Sequence, residues 1–276
     1  PRRRRRQSPR AQVPCPRCRS RDSSVAFEGR DFLYGVPGTF YASACNSCGL
    51  LFQNPRPGEA AVPSLYPQDY RPHAIPVPQV VEPGPKARLL AKIPWWRRRS
   101  AAIRLEPEYI PGGTLLELGC ASGANLIACR AAGWAHVHGM EVVPEAAARA
   151  RATGLEVECG PVERLLPRFA DQSLDVIIAS MVLEHFTNPF EVVELVAAKL
   201  KPDGQFLFST VVCDGLDGRF FGKYFAGYDF PRHMVFFRKR DLHEMLKASF
   251  VDCQYYFQHE PMDFVRAATA RSRDGR

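Results

Sequence analysis

Nothing in the 276-residue chain approaches the uninterrupted run of about 18 apolar residues that a membrane span needs, so no transmembrane helix is expected. The N-terminus lacks the apolar core of a secretory signal, and no internal repeat is evident. Paired spacing is missing from Cys120, Cys129, Cys159, Cys213 and Cys253, which sit singly in apolar segments as buried thiols of a reducing compartment do. A cytoplasmic location is the expectation. Acidic residues are absent from positions 1–10, which hold six arginines and so six of the eight net positive charges. The remainder carries only +2 and lacks the broad basic face of a dedicated nucleic-acid binder. The arginine run therefore reads as a solvated, disordered tail over 1–12.

What is present begins with two Cys-x-x-Cys knuckles, Cys15/Cys18 and Cys45/Cys48. Each pair can reach one tetrahedral ion, and the interval 19–44 is long enough to fold back as strands. Four thiolates fill the coordination sphere of zinc and leave no place for water, so such a metal is structural. Free thiols or disulfides are the alternatives, and zinc is favoured. The cysteine module covers 13–54, with short strands at 25–27, 32–34 and 39–42 separated by Gly29, Gly35 and Gly38. Prolines recur through 55–85, predicting an extended linker rather than a helix.

From residue 86 the pattern becomes helix and strand in alternation. Helices are predicted at 86–93, 97–105, 123–132, 144–153, 189–200 and 240–249. Strands are predicted at 114–118, 137–141, 155–159, 174–180, 205–212 and 251–257. Such alternation implies an α/β domain over 86–260 with a doubly wound, mostly parallel sheet covered on both faces. A C-terminal tail, 261–276, follows.

The stretch Leu115-Leu116-Glu117-Leu118-Gly119-Cys120-Ala121-Ser122-Gly123 is a strand, a small-residue turn and a helix start. Such a turn lets backbone approach a ligand, and the helix amides attract negative groups. Eighteen residues on, Glu141 ends the next strand, where a carboxylate can accept both hydroxyls of a ribose. This constellation resembles the first motifs of class I S-adenosylmethionine-dependent methyltransferases, whose sheet is Rossmann-like and seven-stranded. Asp171 to Ile178 and Leu200-Lys201-Pro202-Asp203-Gly204 are similar to their later motifs. The resemblance implies that Glu117, Gly119, Ala121 and Gly123 cradle the methionine half of the cofactor, Glu141 its ribose, and that Ser180 lies beside it. Ala121 stands where these enzymes most often have Gly, which the fold tolerates if its φ is negative. Pro161 replaces a common Asp, so adenine contact falls to the backbone of Val162.

A narrower resemblance joins the knuckles to Asn54-Pro55-Arg56-Pro57, Leu65-Tyr66-Pro67, Leu183-Glu184-His185 and Pro231-Arg232-His233. These are similar to bacterial methyltransferases with an N-terminal zinc module that act on sugars or secondary metabolites. A proton acceptor facing the methyl should titrate near neutrality, a requirement His185 meets, with Glu184 to orient substrate or bind a cation. His233, Tyr70 and Arg232 are further candidates, and 220–237 reads as a lid. A small-molecule acceptor, such as a nucleotide-linked sugar, is the expectation, with RNA base methylation and an inactive zinc-ribbon interaction protein as alternatives. Trp95-Trp96-Arg97-Arg98-Arg99 suits packing onto the sheet, with contact to a membrane surface as the second reading.

Overall fold

The computed structural model describes residues 10–67, 70 and 105–256. The expected helix at 86–93, residues 97–104 of the next one, the Trp95-Trp96 pair, Arg2 to Arg6 and the 261–276 tail lie outside them.

Five strands form a parallel sheet in the order β10-β9-β6-β7-β8. They are β6 (Thr114–Leu118), β7 (His136–Glu141), β8 (Glu156–Cys159), β9 (Leu174–Ser180) and β10 (Leu200–Ser209). Between them run α1 (Ala124–Ala131), α2 (Pro144–Ala152), α3 (Val162–Leu165) and α4 (Pro189–Lys199). Proline at the first turn starts α2 and α4, and the Asn188 side chain accepts from Glu191 N to cap α4. The period-2 alternation of the strands sorts the core into two layers. Leu116, Leu118, Ile177 and Ala179 pack with Val192, Val193 and Val196 of α4. Leu115, Val176 and Ile178 pack on the other face with Leu126 of α1 and Ala147 and Ala150 of α2.

A second sheet, ordered β11-β4-β3-β2, is antiparallel. It comprises β2 (Ser23–Gly29), β3 (Phe40–Cys45), β4 (Leu51–Gln53) and, from the far end of the chain, β11 (Val235–Phe236). The cysteine module thus borrows its edge strand from the larger domain. Cys15, Cys45, Leu50 and Phe52 belong to the same apolar cluster as Leu116 and α6 (Lys239–Lys247). Arg238 reinforces this seam, donating to Gly49 O at 2.5 Å while forking the buried Asp241. The module is an integral layer of the fold.

Several expectations are corrected. The described residues contain five strands of the parallel sheet, and 251–256, expected as a strand, is irregular, because no strand among the described residues pairs with it. Residues 32–34 are a bend, since the Asp31 carboxylate gathers the amides of Leu33, Tyr34 and Val36 that a strand would give to a neighbour. Arg10 and Ala11, within the expected tail, form β1 (Arg10–Ala11), paired to β5 (Arg56–Pro57), and Arg10 stacks 4.2 Å over Phe40. The proline-rich segment forms a 3-10 helix over Glu59–Leu65, and the expected lid at 220–237 runs from the end of α5 (Leu216–Phe221) through 3-10 turns at Gly222–Tyr224 and Ala226–Tyr228. No helix among the described residues is long and apolar enough to cross a membrane.

Candidate active site

The two cysteine knuckles share one backbone shape. Arg19 N donates to Cys15 O at 2.9 Å and Gly49 N to Cys45 O at 2.8 Å, with φ of 62° at Arg19 and 72° at Gly49. Each turn aims its two thiols at a common point. The four Sγ atoms lie within 4.8 Å of one another, with Cys15–Cys48 at 3.6 Å and Cys18–Cys45 at 3.4 Å. A tetrahedral ion with Zn–S bonds of about 2.3 Å sets its sulfurs about 3.8 Å apart. The cluster fits that geometry, and none of its cysteines is bridged.

A cavity of about 790 Å³ opens at the carboxyl ends of β6, β7 and β9. Sequence order reverses between β6 and β9, and in open α/β sheets that reversal splays the connections and leaves a crevice. Gly119, Ala121, Glu141, Val162 and Ser180, all expected to meet cofactor, lie on its wall. Gly119 has φ of 69°, and a Cβ there would fall 2.7 Å from Val182 Cγ2. Ala121 has φ of 49°, so the negative value that would accommodate an alanine without strain is not met. It is held there because its N–H donates to Glu141 Oε2 at 2.9 Å. Glu141 Oε1 accepts from Val143 N at 2.8 Å, so one buried carboxylate ties the turns after β6 and β7 together. Burial raises the Glu141 pKa despite these amide hydrogen bonds.

Glu117 and Gly123 stand behind that wall. Glu117 Oε1 accepts from Asn125 Nδ2 at 3.1 Å, whereas Oε2 is buried without a hydrogen-bond partner. Burial pushes the Glu117 pKa up to about 7. Gly123 serves packing: a Cβ would fall 2.4 Å from Leu155 Cδ1.

The opposite end of the cavity is built from Tyr34, Tyr66, Tyr70, Glu184, His185, Asp229 and His233. The aromatic rings form a chain, Tyr34 to Tyr70 (5.4 Å), Tyr70 to Tyr66 (5.0 Å), Tyr66 to His185 (5.9 Å) and His185 to His233 (4.6 Å). His185 Nδ1 is 2.9 Å from Tyr66 Oη. His233 Nδ1 is 2.8 Å from Gly227 O, a carbonyl that can only accept, so Nδ1 carries the hydrogen. His233 Nε2 then faces Glu184 Oε1 at 4.0 Å and Asp229 Oδ2 at 3.9 Å. Glu184 is 1% exposed; Oε2 accepts from Thr210 Oγ1 at 2.7 Å, and Oε1 has no hydrogen-bond partner. Burial raises its pKa as well.

Arg232 departs from expectation. It is fully buried and faces neither solvent nor the cavity. Its guanidinium forks both Asp31 (2.9 and 3.0 Å) and Asp229 (2.9 and 2.6 Å) and lies 4.7 Å over Tyr34. Two carboxylates saturate it, so it clasps the cysteine module to the cavity wall instead of binding an anionic substrate. Burial alone would raise the Asp31 pKa, but Arg232 and the amides of Tyr34 and Val36 outweigh it and lower it. Asp31, Tyr34, Thr210 and Asp229 were not singled out from sequence. Asp229, four residues before His233, was the most accessible of them, because that spacing puts both on one side of a tight turn.

The profile of the methyltransferase domain matches residues 95–249. This chain belongs to the methyltransferase-domain family. Its sheet, with the cavity at the strand ends, is the Rossmann-like scaffold of S-adenosylmethionine-dependent methyltransferases. The ribosomal protein L11 methyltransferase of Burkholderia mallei is 28% identical over 114 residues, which is 41% of this chain and 37% of that protein. The ubiquinone biosynthesis O-methyltransferase of Bordetella avium is 34% identical over 108 residues, 37% of this chain and 44% of that protein. The chain thus spans less than half the length of these relatives. Among solved structures, an S-adenosylmethionine-dependent methyltransferase from Mesorhizobium loti superposes with a TM-score of 0.49 at 19% identity, over 64% of this chain and 89% of that one. A Haloferax volcanii methyltransferase in complex with the Trm112 activator gives 0.46 at 22% identity, over 59% and 70%.

Proposed function

We propose that this protein transfers a methyl group from S-adenosylmethionine to a small-molecule acceptor such as a nucleotide-linked sugar, a glycan or lipid precursor or a secondary metabolite. The observation that carries this reading is the single cavity whose one wall bears Gly119, Ala121 and Glu141 and whose other bears Glu184, His185 and His233. Its volume is that of a small-molecule site, which commonly measures roughly 300–1,000 Å³. Zinc on Cys15, Cys18, Cys45 and Cys48 holds the module that supplies Tyr34 to the far wall and Asp31 to the Arg232 clasp behind it.

When bound, the cofactor supplies a sulfonium methyl already activated toward an in-line nucleophile. Glu141, at the end of β7 on the cavity wall, accepts the ribose hydroxyls, and Glu117 braces the turn behind it through Asn125. The acceptor lies against Tyr66 and Tyr70. His185 takes the acceptor's proton at Nε2 while Nδ1–H donates to Tyr66 Oη, which fixes the ring. Glu184 and Asp229 hold His233 and keep the acceptor end anionic, so the imidazolium formed on proton transfer is stabilised.

Calorimetric titration with S-adenosylhomocysteine tests the first half: wild type should bind in the micromolar range, and Glu141→Ala should lose binding. Absence of binding to wild type would overturn the reading. His185→Ala should keep that affinity yet slow transfer from labelled cofactor to a responsive extract by roughly 10²–10⁴-fold, the share of a positioned base.

A further inference from the structure

We propose that Glu184, His185 and His233 form a second metal site, for a divalent first-row transition ion, whose occupancy competes with proton transfer. The donor atoms of the three side chains lie within 4.8 Å of one another and line the cavity. Their composition, two imidazoles and one carboxylate, is a facial set that leaves ligand positions open.

Three further observations support a ligand here. Glu184 Oε1 is buried, without a hydrogen-bond partner, and directed at the His233 ring. Burying a carboxylate oxygen with neither proton donor nor cation is costly, and a divalent ion removes that cost. Each candidate ligand is also anchored through its other polar atom: His233 Nδ1 to Gly227 O, His185 Nδ1 to Tyr66 Oη and Glu184 Oε2 to Thr210 Oγ1. This outer-shell pattern sets the tautomer and ring angle of metal-bound histidines. Asp229 Oδ2, 3.9 Å from His233 Nε2, adds negative charge beside the site. The donors are nitrogen and oxygen, so zinc, cobalt and nickel suit the site better than the thiolate-preferring Cu(I).

The inference rests on the proposed role of His185 for its consequence alone. An ion on the imidazole nitrogens occupies the lone pairs that would accept a proton, so the loaded protein should transfer methyl groups more slowly than the metal-free form of this site.

Co²⁺ added to protein whose cysteine cluster is already zinc-filled provides the test. One further equivalent should bind with a ligand-field spectrum free of the intense thiolate charge-transfer bands that the cysteine cluster would give. His233→Ala and Glu184→Gln should abolish that equivalent while zinc content stays unchanged. Tyr66→Phe, which removes only the outer-shell hydroxyl, should weaken it by about 10-fold. Zinc retention in each variant reports that the cysteine module is still folded. Wild type that takes up no ion beyond the cysteine-bound one overturns the site, whatever its affinity for S-adenosylhomocysteine. Faster methyl transfer on loading would overturn the competition while leaving the site.

Discussion

In the cysteine module, four donors come from two short knuckles of identical backbone shape, each closed by one residue with positive φ. At the far end of the cavity, Glu184, His185 and His233 also come within 4.8 Å of one another, from segments nearly fifty residues apart, held by Tyr66, Thr210 and Gly227. The first cluster is written into local spacing and needs only its own turns. The second exists because β11 carries 230–236 onto the edge of the module's sheet, and because Met234 N donates to Glu184 O at 2.7 Å. A locally encoded site should fail alone and completely, whereas an assembled one should fail through any of several distant residues.

The sharpest break is Cys45→Ser. Structural zinc contributes an apparent ~10–16 kcal/mol in small zinc modules, so losing a ligand should empty the cluster and unfold the layer built on β3. Elemental analysis should find one zinc fewer per chain in the variant than in wild type; an undiminished zinc complement in Cys45→Ser would refute the four-cysteine assignment. Next in size is Arg232→Ala, which leaves the buried Asp31 and the partly buried Asp229 without their shared cation, at a cost of about 3–5 kcal/mol in chemical denaturation. Arg232→Lys should recover little of it, because an ammonium cannot fork two carboxylates at once.

The cofactor wall offers two smaller tests. Glu117 has a folded-state pKa pushed up from 4.5 to about 7, so between those values the folded protein keeps a proton that the unfolded chain has released. Stability should therefore be highest below about pH 4.5 and decline toward pH 7, by at most roughly 3 kcal/mol from this group. Glu117→Gln should flatten the slope across that window in denaturation curves taken at a series of pH values; an unchanged slope would assign it to other groups. Ala121→Gly should raise stability by about 1 kcal/mol, since φ of 49° strains any residue with a Cβ. A loss of stability would show that the freedom glycine adds to the unfolded chain outweighs the relief of strain.

Legibility in the sequence follows the same division. The turn between β6 and α1, the strand end at Glu141 and the clustering of both knuckles could be read directly, because their geometry depends on neighbours in the chain. The central strands β6 and β9 fell where their apolar runs placed them, being buried on both faces. The expected strand at 251–257 was not found in 251–256, and the bend at 32–34 had been read as a strand. In both places aromatic content mimics strand propensity, while the partner strand that would make one is missing. Arg232 was legible as a planar fork, but its saturation by Asp31 and Asp229 was not. One carboxylate lies 201 residues away, and burial is invisible to spacing.

The sequence by itself determined the two kinds of layer and the local turns. Apolar runs alternating with helical segments select a parallel sheet, and Cys-x-x-Cys spacing selects a tetrahedral cluster, through interactions spanning a few residues. Tertiary structure alone decided that the cysteine module shares a core with the sheet and that Tyr34, Tyr66, Tyr70, His185 and His233 line up along one wall. It also decided that Glu184 is buried with one oxygen unanswered. Those outcomes depend on which distant segments exclude water from one another, and no local pattern encodes that.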